Sequence, residues 1–109
     1  MAQGWKEKRR YPRFRVNCPI SFICFSKLRI GETSDISLGG MKIQCRYFLL
    51  PAETYDFTVV VRGRAISPRG RVVYLATQGE FGYEAGVCFV GISEEHQKHL
   101  ASFLLSKGG

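Results

Sequence analysis

Apolar and polar residues alternate along much of the chain, which is the pattern of strands with one buried face. Residues 14–25 are β-branched, aromatic or small and predict a first strand, in which Ile20, Phe22 and Cys24 share one face. Further extended segments are predicted at residues 33–36, 41–46, 57–61, 65–75 and 83–90. Because turn residues separate these segments at short intervals, the pattern indicates about six short strands.

The end of the chain has the pattern of a helix. The segment Ser93–Glu95 combines a serine that can cap a backbone N–H group with two glutamates where the helix dipole favours negative charge. Leu100, Phe103 and Leu104 then form an apolar stripe at helical spacing. We therefore predict a C-terminal helix over about residues 93–106, which also carries both histidines in exposed positions.

Short strands followed by one helix favour a mainly β fold. An antiparallel sheet of this kind removes its edges by closing into a small barrel, and the helix can cover an open end or a side. With 109 residues and no internal repeat, the chain has room for one domain with one core. We assign residues 1–13 to a flexible basic arm and residues 14–107 to the barrel domain with its helix.

The charge is concentrated at the start of the chain. The protein has 16 Lys and Arg against 9 Asp and Glu, a net charge of +7, and residues 1–15 alone hold six cations and one acid. Such a field raises the local concentration of phosphate-bearing partners. A solvated, solubilising surface would have the same composition, so charge alone leaves both interpretations open.

The residue types argue against catalysis and metal binding. Four cysteines without a C-x-x-C pair and two histidines fit no zinc pattern, and we expect the cysteines to be small buried hydrophobes in a reducing compartment. No Ser/His/Asp or Cys/His set and no phosphate-binding glycine loop is present. The first residues lack the apolar run that is typical of a signal peptide, and the strongly apolar stretches are too short to span a bilayer. We expect a soluble, cytoplasmic protein that is not an enzyme, has no cofactor and has no membrane partner.

The first motif with chemical potential is the segment Arg9–Arg13. Pro12 favours an extended arm, so Arg9 and Arg13 would lie roughly 13 Å apart on one side, while Arg10 points away unless the arm bends. A guanidinium group pairs bidentately with phosphate and with the O6/N7 edge of guanine. The alternative is a basic tail with no fixed conformation.

The second motif is Asp35-Ile36-Ser37-Leu38-Gly39-Gly40. Asp35 and Ser37 are two residues apart at a strand end and are expected to share a face. The Asp35 carboxylate can accept from the N1–H and N2–H groups of a guanine, and Gly39 and Gly40 let the backbone approach a ligand closely. The alternative is a tight hairpin turn whose polar side chains satisfy local backbone groups.

Together, R-x-x-x-R followed by D-x-S-x-x-G resembles the PilZ domain family over nearly the whole chain. The resemblance includes the sequence Arg-Tyr-Pro-Arg-Phe, the run Asp-Ile-Ser-Leu-Gly-Gly-Met-Lys-Ile, the late strand at residues 85–89 and the helix after it. It implies a six-stranded antiparallel barrel that binds the bacterial second messenger cyclic di-GMP on its outer surface. The ligand-binding residues that it implies are Arg9, Arg13, Asp35, Ser37 and Gly40, with Arg10 and Gly39 as neighbours.

On this basis we expect a cyclic di-GMP receptor. Ligand binding would order the arginine arm and change the surface offered to a downstream protein. Two alternatives are open: a PilZ module that binds a protein partner without ligand, and a small basic barrel that binds single-stranded nucleic acid, with Tyr11 and Phe14 next to the arginines. We do not expect nucleic acid to be the partner.

Overall fold

The computed structural model describes residues 11–108, so Arg9 and Arg10 lie outside the described residues. The described part contains eight strands and one helix. These are β1 (Phe14–Arg15), β2 (Pro19–Cys24), β3 (Lys27–Ile36), β4 (Gly40–Cys45), β5 (Thr54–Val61), β6 (Arg64–Ile66), β7 (Arg69–Gln78), β8 (Gly82–Gly91) and α1 (Glu94–Gly108).

Six of the strands form a closed antiparallel barrel. Their order is β3-β2-β5-β7-β8-β4, and pairing of β3 with β4 closes the ring. The two short strands are additions to this wall: β1 pairs with β3, and β6 pairs with β5. The predicted fold class is therefore confirmed. Closure matters for the site because it fixes the outer faces of β3, β4, β8 and β7 side by side.

The predicted first strand is interrupted in the structure. Thr33 on β3 is fully buried; its hydroxyl accepts a hydrogen bond from the Cys18 N–H and donates one to the Val16 carbonyl oxygen. These two bonds hold the segment between Arg15 and Pro19 out of the sheet ladder, because a side chain takes the place of a strand partner. The alternation of apolar and polar residues cannot indicate that a side-chain hydroxyl will bond to the backbone in place of a neighbouring strand.

Other strands begin earlier than predicted. β3 begins at Lys27, directly after a two-residue turn in which Phe25 and Ser26 both have positive φ, 53° and 65°. β5 begins at Thr54, before the apolar run that predicted it. The first residues of β5 are exposed or half-buried, and in the first half of β3 the apolar residues Leu28 and Ile30 are exposed, so an apolar pattern marks neither strand start. Backbone pairing nevertheless continues through both segments.

The core fills the barrel and continues beneath the helix. The face predicted from Ile20, Phe22 and Cys24 is buried, and so is the helical stripe of Leu100, Phe103 and Leu104. The remaining buried apolar side chains are Cys18, Ile36, Met41, Ile43, Cys45, Leu49, Phe57, Val59, Val61, Ile66, Val72, Ala85 and Val87. Three of the four cysteines are thus buried as predicted, and Cys88 is half-buried.

The helix is docked by the two histidines that the sequence placed in solvent. Ser93 caps the first turn as predicted, since its Oγ accepts from the His96 N–H at 3.1 Å. The His96 ring accepts a hydrogen bond from the Ser67 N–H at 3.1 Å, and His99 Nε2 lies 2.8 Å from the Val61 carbonyl oxygen. The prediction of exposed histidines is wrong: both are half-buried, because their rings bond to the end of β5 and to the residue after β6. Within residues 11–108, no helix has the length and apolar character needed to cross a membrane.

Candidate functional site

A β-bulge in β3 turns Asp35 towards the outer surface. The register between β3 and β4 shifts between Thr33 and Asp35, so Ser34 is an extra residue in the strand. In a regular strand Asp35 would point inward with the buried Thr33. The bulge instead leaves Ser34 and Asp35 both partly accessible on the outside of the barrel.

The fold brings the two sequence motifs together at Arg13 and Asp35. Pairing of β1 with β3 sets Arg15 opposite Asp35, which places Arg13 beside the carboxylate. Arg13 donates from Nε and Nη2 to Asp35 Oδ1 at 3.0 and 2.7 Å, across 22 residues of sequence. The Arg13 side chain is 50% exposed and the Asp35 side chain 16% exposed. The contact therefore joins an accessible cation to a largely covered carboxylate.

Ser37 is engaged within the turn. It is 1% exposed, and its Oγ accepts from the Gly39 N–H at 3.1 Å while donating to the Gly40 carbonyl oxygen at 3.3 Å. The Ser37 N–H also donates to the Gly40 carbonyl oxygen at 2.8 Å. The hairpin-turn alternative thus describes Ser37 in this structure, whereas Asp35 contacts the arginine motif instead of local backbone.

These residues border a cleft of about 320 Å³ on the outer wall. Four of the predicted site residues line it: Arg13, Ser37, Gly39 and Gly40. The rest of its lining is Lys42, Val73, Tyr74, Gly86, Val87 and Cys88. Asp35 lines a neighbouring polar cleft of about 430 Å³, and Lys42 borders both. A larger cleft of about 480 Å³ around Arg46 and Tyr47 contains none of the predicted residues, so we do not assign the site there.

Tyr74 is a cleft residue that sequence reasoning missed. A second bulge, between Val72 and Tyr74, turns Val73 and Tyr74 both outward. The ring of Tyr74 lies against Gly86 on β8, where a Cβ atom would come within 2.2 Å of the Tyr74 Cε2 atom. A glycine opposite an aromatic residue is a usable signal only after the β7–β8 register is known.

The hydroxyl of Tyr74 is fixed as well. It donates to Glu84 Oε2 at 2.9 Å. Partial burial and, secondarily, the Glu84 carboxylate raise the pKa of Tyr74 to about 12, so the hydroxyl stays protonated at neutral pH. Ring and hydroxyl are therefore both held in place.

Lys42 completes a row of charges across the wall. Its Nζ lies 3.9 Å from Asp35 Oδ2 and 4.0 Å from Glu84 Oε2. The row runs from Arg13 through Asp35, Lys42 and Glu84 to Tyr74. It combines two cations suited to phosphate oxygens, carboxylates suited to N–H donors and one aromatic face. In the described range, no group of three or more His, Cys, Asp or Glu side chains could hold a metal ion.

The comparisons with known proteins agree with this architecture. The sequence model of the PilZ domain matches residues 7–106. An uncharacterized protein of Aquifex aeolicus (strain VF5) is 26% identical over 102 residues, which are 93% of this chain and 50% of that protein. The chain thus spans about half the length of that relative.

Solved structures share the fold at low sequence identity. The Bacillus subtilis inhibitor of motility MotI/DgrA superposes with a TM-score of 0.82 at 13% identity, covering 92% of this chain and 51% of that one. Escherichia coli YcgR in complex with c-di-GMP superposes with a TM-score of 0.78 at 15% identity, covering 93% of this chain and 46% of that one. The PilZ domain of Escherichia coli YcgR with c-di-GMP superposes with a TM-score of 0.75 at 14% identity, covering 91% of this chain and 90% of that one. With the sequence match over nearly its whole length, the chain belongs to the PilZ domain family.

Proposed function

We propose that this protein is a receptor for cyclic di-GMP, which it binds on the outer wall of the barrel. The observation that carries the proposal is the contact of Arg13 with Asp35, because it unites the two sequence motifs between two neighbouring clefts, one lined by each residue. Two structural neighbours of the same fold are complexes with c-di-GMP. The ligand is a dianion with two guanine bases, and the two clefts together offer groups for both parts.

The guanine bases are assigned to Asp35 and Tyr74. Asp35 Oδ1 already accepts two hydrogen bonds from Arg13, so the carboxylate is held in one orientation and Oδ2 is directed elsewhere. A carboxylate oxygen is a suitable acceptor for the N1–H and N2–H groups of guanine. Tyr74 offers a partly exposed ring that packs against Gly86 and is held by the hydrogen bond from its hydroxyl group to Glu84. Such a ring can stack on a base.

The phosphates are assigned to the arginines. Only Nε and Nη2 of Arg13 contact Asp35, so the Nη1 donors of this half-exposed side chain are directed away from that bond. Arg9 and Arg10, which precede the described residues, are proposed to add further guanidinium groups from the arm at residues 1–13. Ser37 and Gly39 act by fixing the turn, and Gly40 lets β4 approach β8.

Signalling is proposed to follow from the position of Arg13 one residue before β1. When the arm closes over a ligand, the surface around β1 and β3 changes for a downstream protein, while residues 14–107 remain a fixed barrel. The protein then acts by recognition and has no catalytic role of its own.

Isothermal titration with cyclic di-GMP tests the proposal. We expect the wild type to bind, and Arg13→Ala and Asp35→Ala each to weaken binding by about tenfold or more, since each removes a charged hydrogen-bonding group. Arg69→Ala is a matched control, because Arg69 also donates from Nε to an aspartate, Asp56, at 3.1 Å in an exposed pair.

Competition defines the ligand class. RNA, GMP and cyclic di-AMP should fail to displace bound cyclic di-GMP. Undiminished affinity in Arg13→Ala would contradict the assignment of the site. Displacement by RNA with a steep salt dependence would favour the nucleic-acid alternative instead.

A further inference from the structure

Lys42 is the most loosely held charge in the row. Its ammonium nitrogen is 3.9 Å from Asp35 Oδ2 and 4.0 Å from Glu84 Oε2, both beyond hydrogen-bond distance. Its side chain is 37% exposed. The ammonium group is therefore shared by two carboxylates at the outer limit of ion pairing.

Both carboxylates have a closer partner than Lys42. Asp35 accepts from Arg13 at 2.7 Å, and Glu84 accepts from the Tyr74 hydroxyl at 2.9 Å. If the ammonium group moved away, neither carboxylate would be left without a hydrogen bond. Moving the Lys42 ammonium group away from the two carboxylates therefore costs little free energy.

The position of Lys42 also allows it to reach a ligand. It borders the cleft that Arg13 lines, and its partner residue on β8 is Gly86, which is covered by the Tyr74 ring, so Lys42 lies beside the aromatic side of the same cleft. A lysine side chain is a compact charge on a flexible four-carbon stem, so the ammonium group can change position without backbone movement.

Resting on the proposed function, we propose that Lys42 is a further phosphate-binding cation of the cyclic di-GMP site. It is shared by Asp35 and Glu84 in this structure and moves to a phosphate oxygen on binding. A charge-assisted hydrogen bond near 2.8 Å is stronger than two contacts near 4 Å in an accessible site. Neither sequence motif contains this residue.

Glu84 then acts as a positioning residue. It attracts Lys42 away from the ligand, and its own negative charge opposes an incoming dianion. Neutralising it should release Lys42 and favour binding, while the amide oxygen that replaces the carboxylate can still accept from Tyr74.

The test is titration of the full chain with cyclic di-GMP at several salt concentrations. We expect Lys42→Met to weaken binding by about tenfold and to flatten its salt dependence, because one ionic contact is lost. We expect Glu84→Gln to tighten binding by about threefold. This gain in affinity should be smaller when Glu84→Gln is combined with Lys42→Met. Lys27→Met, which removes an exposed lysine at the other end of β3, should change neither quantity.

Each of these measurements has an outcome that overturns the proposal. Wild-type affinity and salt dependence in Lys42→Met would exclude Lys42 from the site. An equal gain from Glu84→Gln with and without Lys42 would show that Glu84 does not act through it. Lys42→Arg, which keeps the cation, should retain most of the affinity and separates loss of charge from a folding defect. If the wild type itself fails to bind, the proposed function fails first and this assignment falls with it.

Discussion

Gly40 lies directly against the carbonyl group of Val87 on the neighbouring strand. A Cβ atom at position 40 would be 2.2 Å from that carbonyl oxygen and 3.3 Å from the Cα atom of Cys88. The last glycine of the D-x-S-x-x-G motif is thus required by the packing of β4 on β8, independently of any ligand. It also follows the turn that Ser37 closes, so one residue links the barrel wall to the cleft.

Gly40→Ala should therefore destabilise the fold. The added methyl group meets backbone, which cannot rotate away, and overpacking of this kind costs about 1–3 kcal/mol. Urea unfolding measures the loss. Gly91→Ala is the control, since its nearest atom would be the Arg69 Cβ at 3.6 Å, an ordinary contact. Equal stability of the two variants would contradict the close approach.

The Arg13–Asp35 pair should contribute little to stability. Because Arg13 is half exposed, a double-mutant cycle with Arg13→Ala and Asp35→Ala is expected to give a coupling free energy of about 1 kcal/mol or less. The coupling should decrease as salt is added. Both single variants should remain folded, so that their losses in ligand affinity report on the site. A coupling well above this value at high salt would show that the pair supports the core instead.

Ionisation of Tyr74 should lower stability at alkaline pH. Its pKa is raised to about 12 in the folded protein, above the ordinary value of 10.0, so the folded state favours the neutral phenol. The stabilising contribution is fully present below pH 10 and is lost as the pH rises through 12. Absorbance titration at about 295 nm should show a component with a midpoint near pH 12 that Tyr74→Phe removes. Glu84→Gln should move this component to lower pH, and an unchanged midpoint would contradict the role of the carboxylate.

The β2–β3 turn offers a stabilising substitution away from the site. Phe25 and Ser26 both have positive φ, as a two-residue hairpin turn of type I′ requires, but Asn-Gly is the pair that adopts it readily. Replacing Phe25→Asn together with Ser26→Gly should raise the free energy of unfolding by about 1 kcal/mol. Phe25→Ala keeps the strained backbone and serves as the control. Affinity for cyclic di-GMP should not change.

Sequence periodicity predicted the elements whose burial alternates regularly. Met41, Ile43 and Cys45 identified β4, and the apolar stripe of α1 is buried as expected. The break between β1 and β2 was not predictable, because it depends on the Thr33 hydroxyl bonding to backbone 15 and 17 residues away. Local patterns cannot show a side chain that replaces a strand partner.

The candidate site was predictable from the sequence only at the two short motifs. Arg13 and Asp35 were identified from the sequence, and the structure brings them into contact. Lys42, Tyr74 and Glu84 were not identified, because their proximity depends on the register of three strands and on a one-residue bulge. A bulge reverses which side chains of the following residues point inward and which point outward. The local composition does not predict where a bulge occurs.

The hairpin between the two motifs has a consequence for engineering. Arg13 is set beside Asp35 by the β1–β3 pairing, whereas the connection between the motifs turns back at Phe25 and Ser26, roughly 30 Å along β3 from Asp35. The number of residues separating the motifs is therefore free to vary. A peptide tag or a fluorescent reporter domain inserted at this tip would lengthen the connection without moving either motif, which makes the tip a natural attachment point for a biosensor.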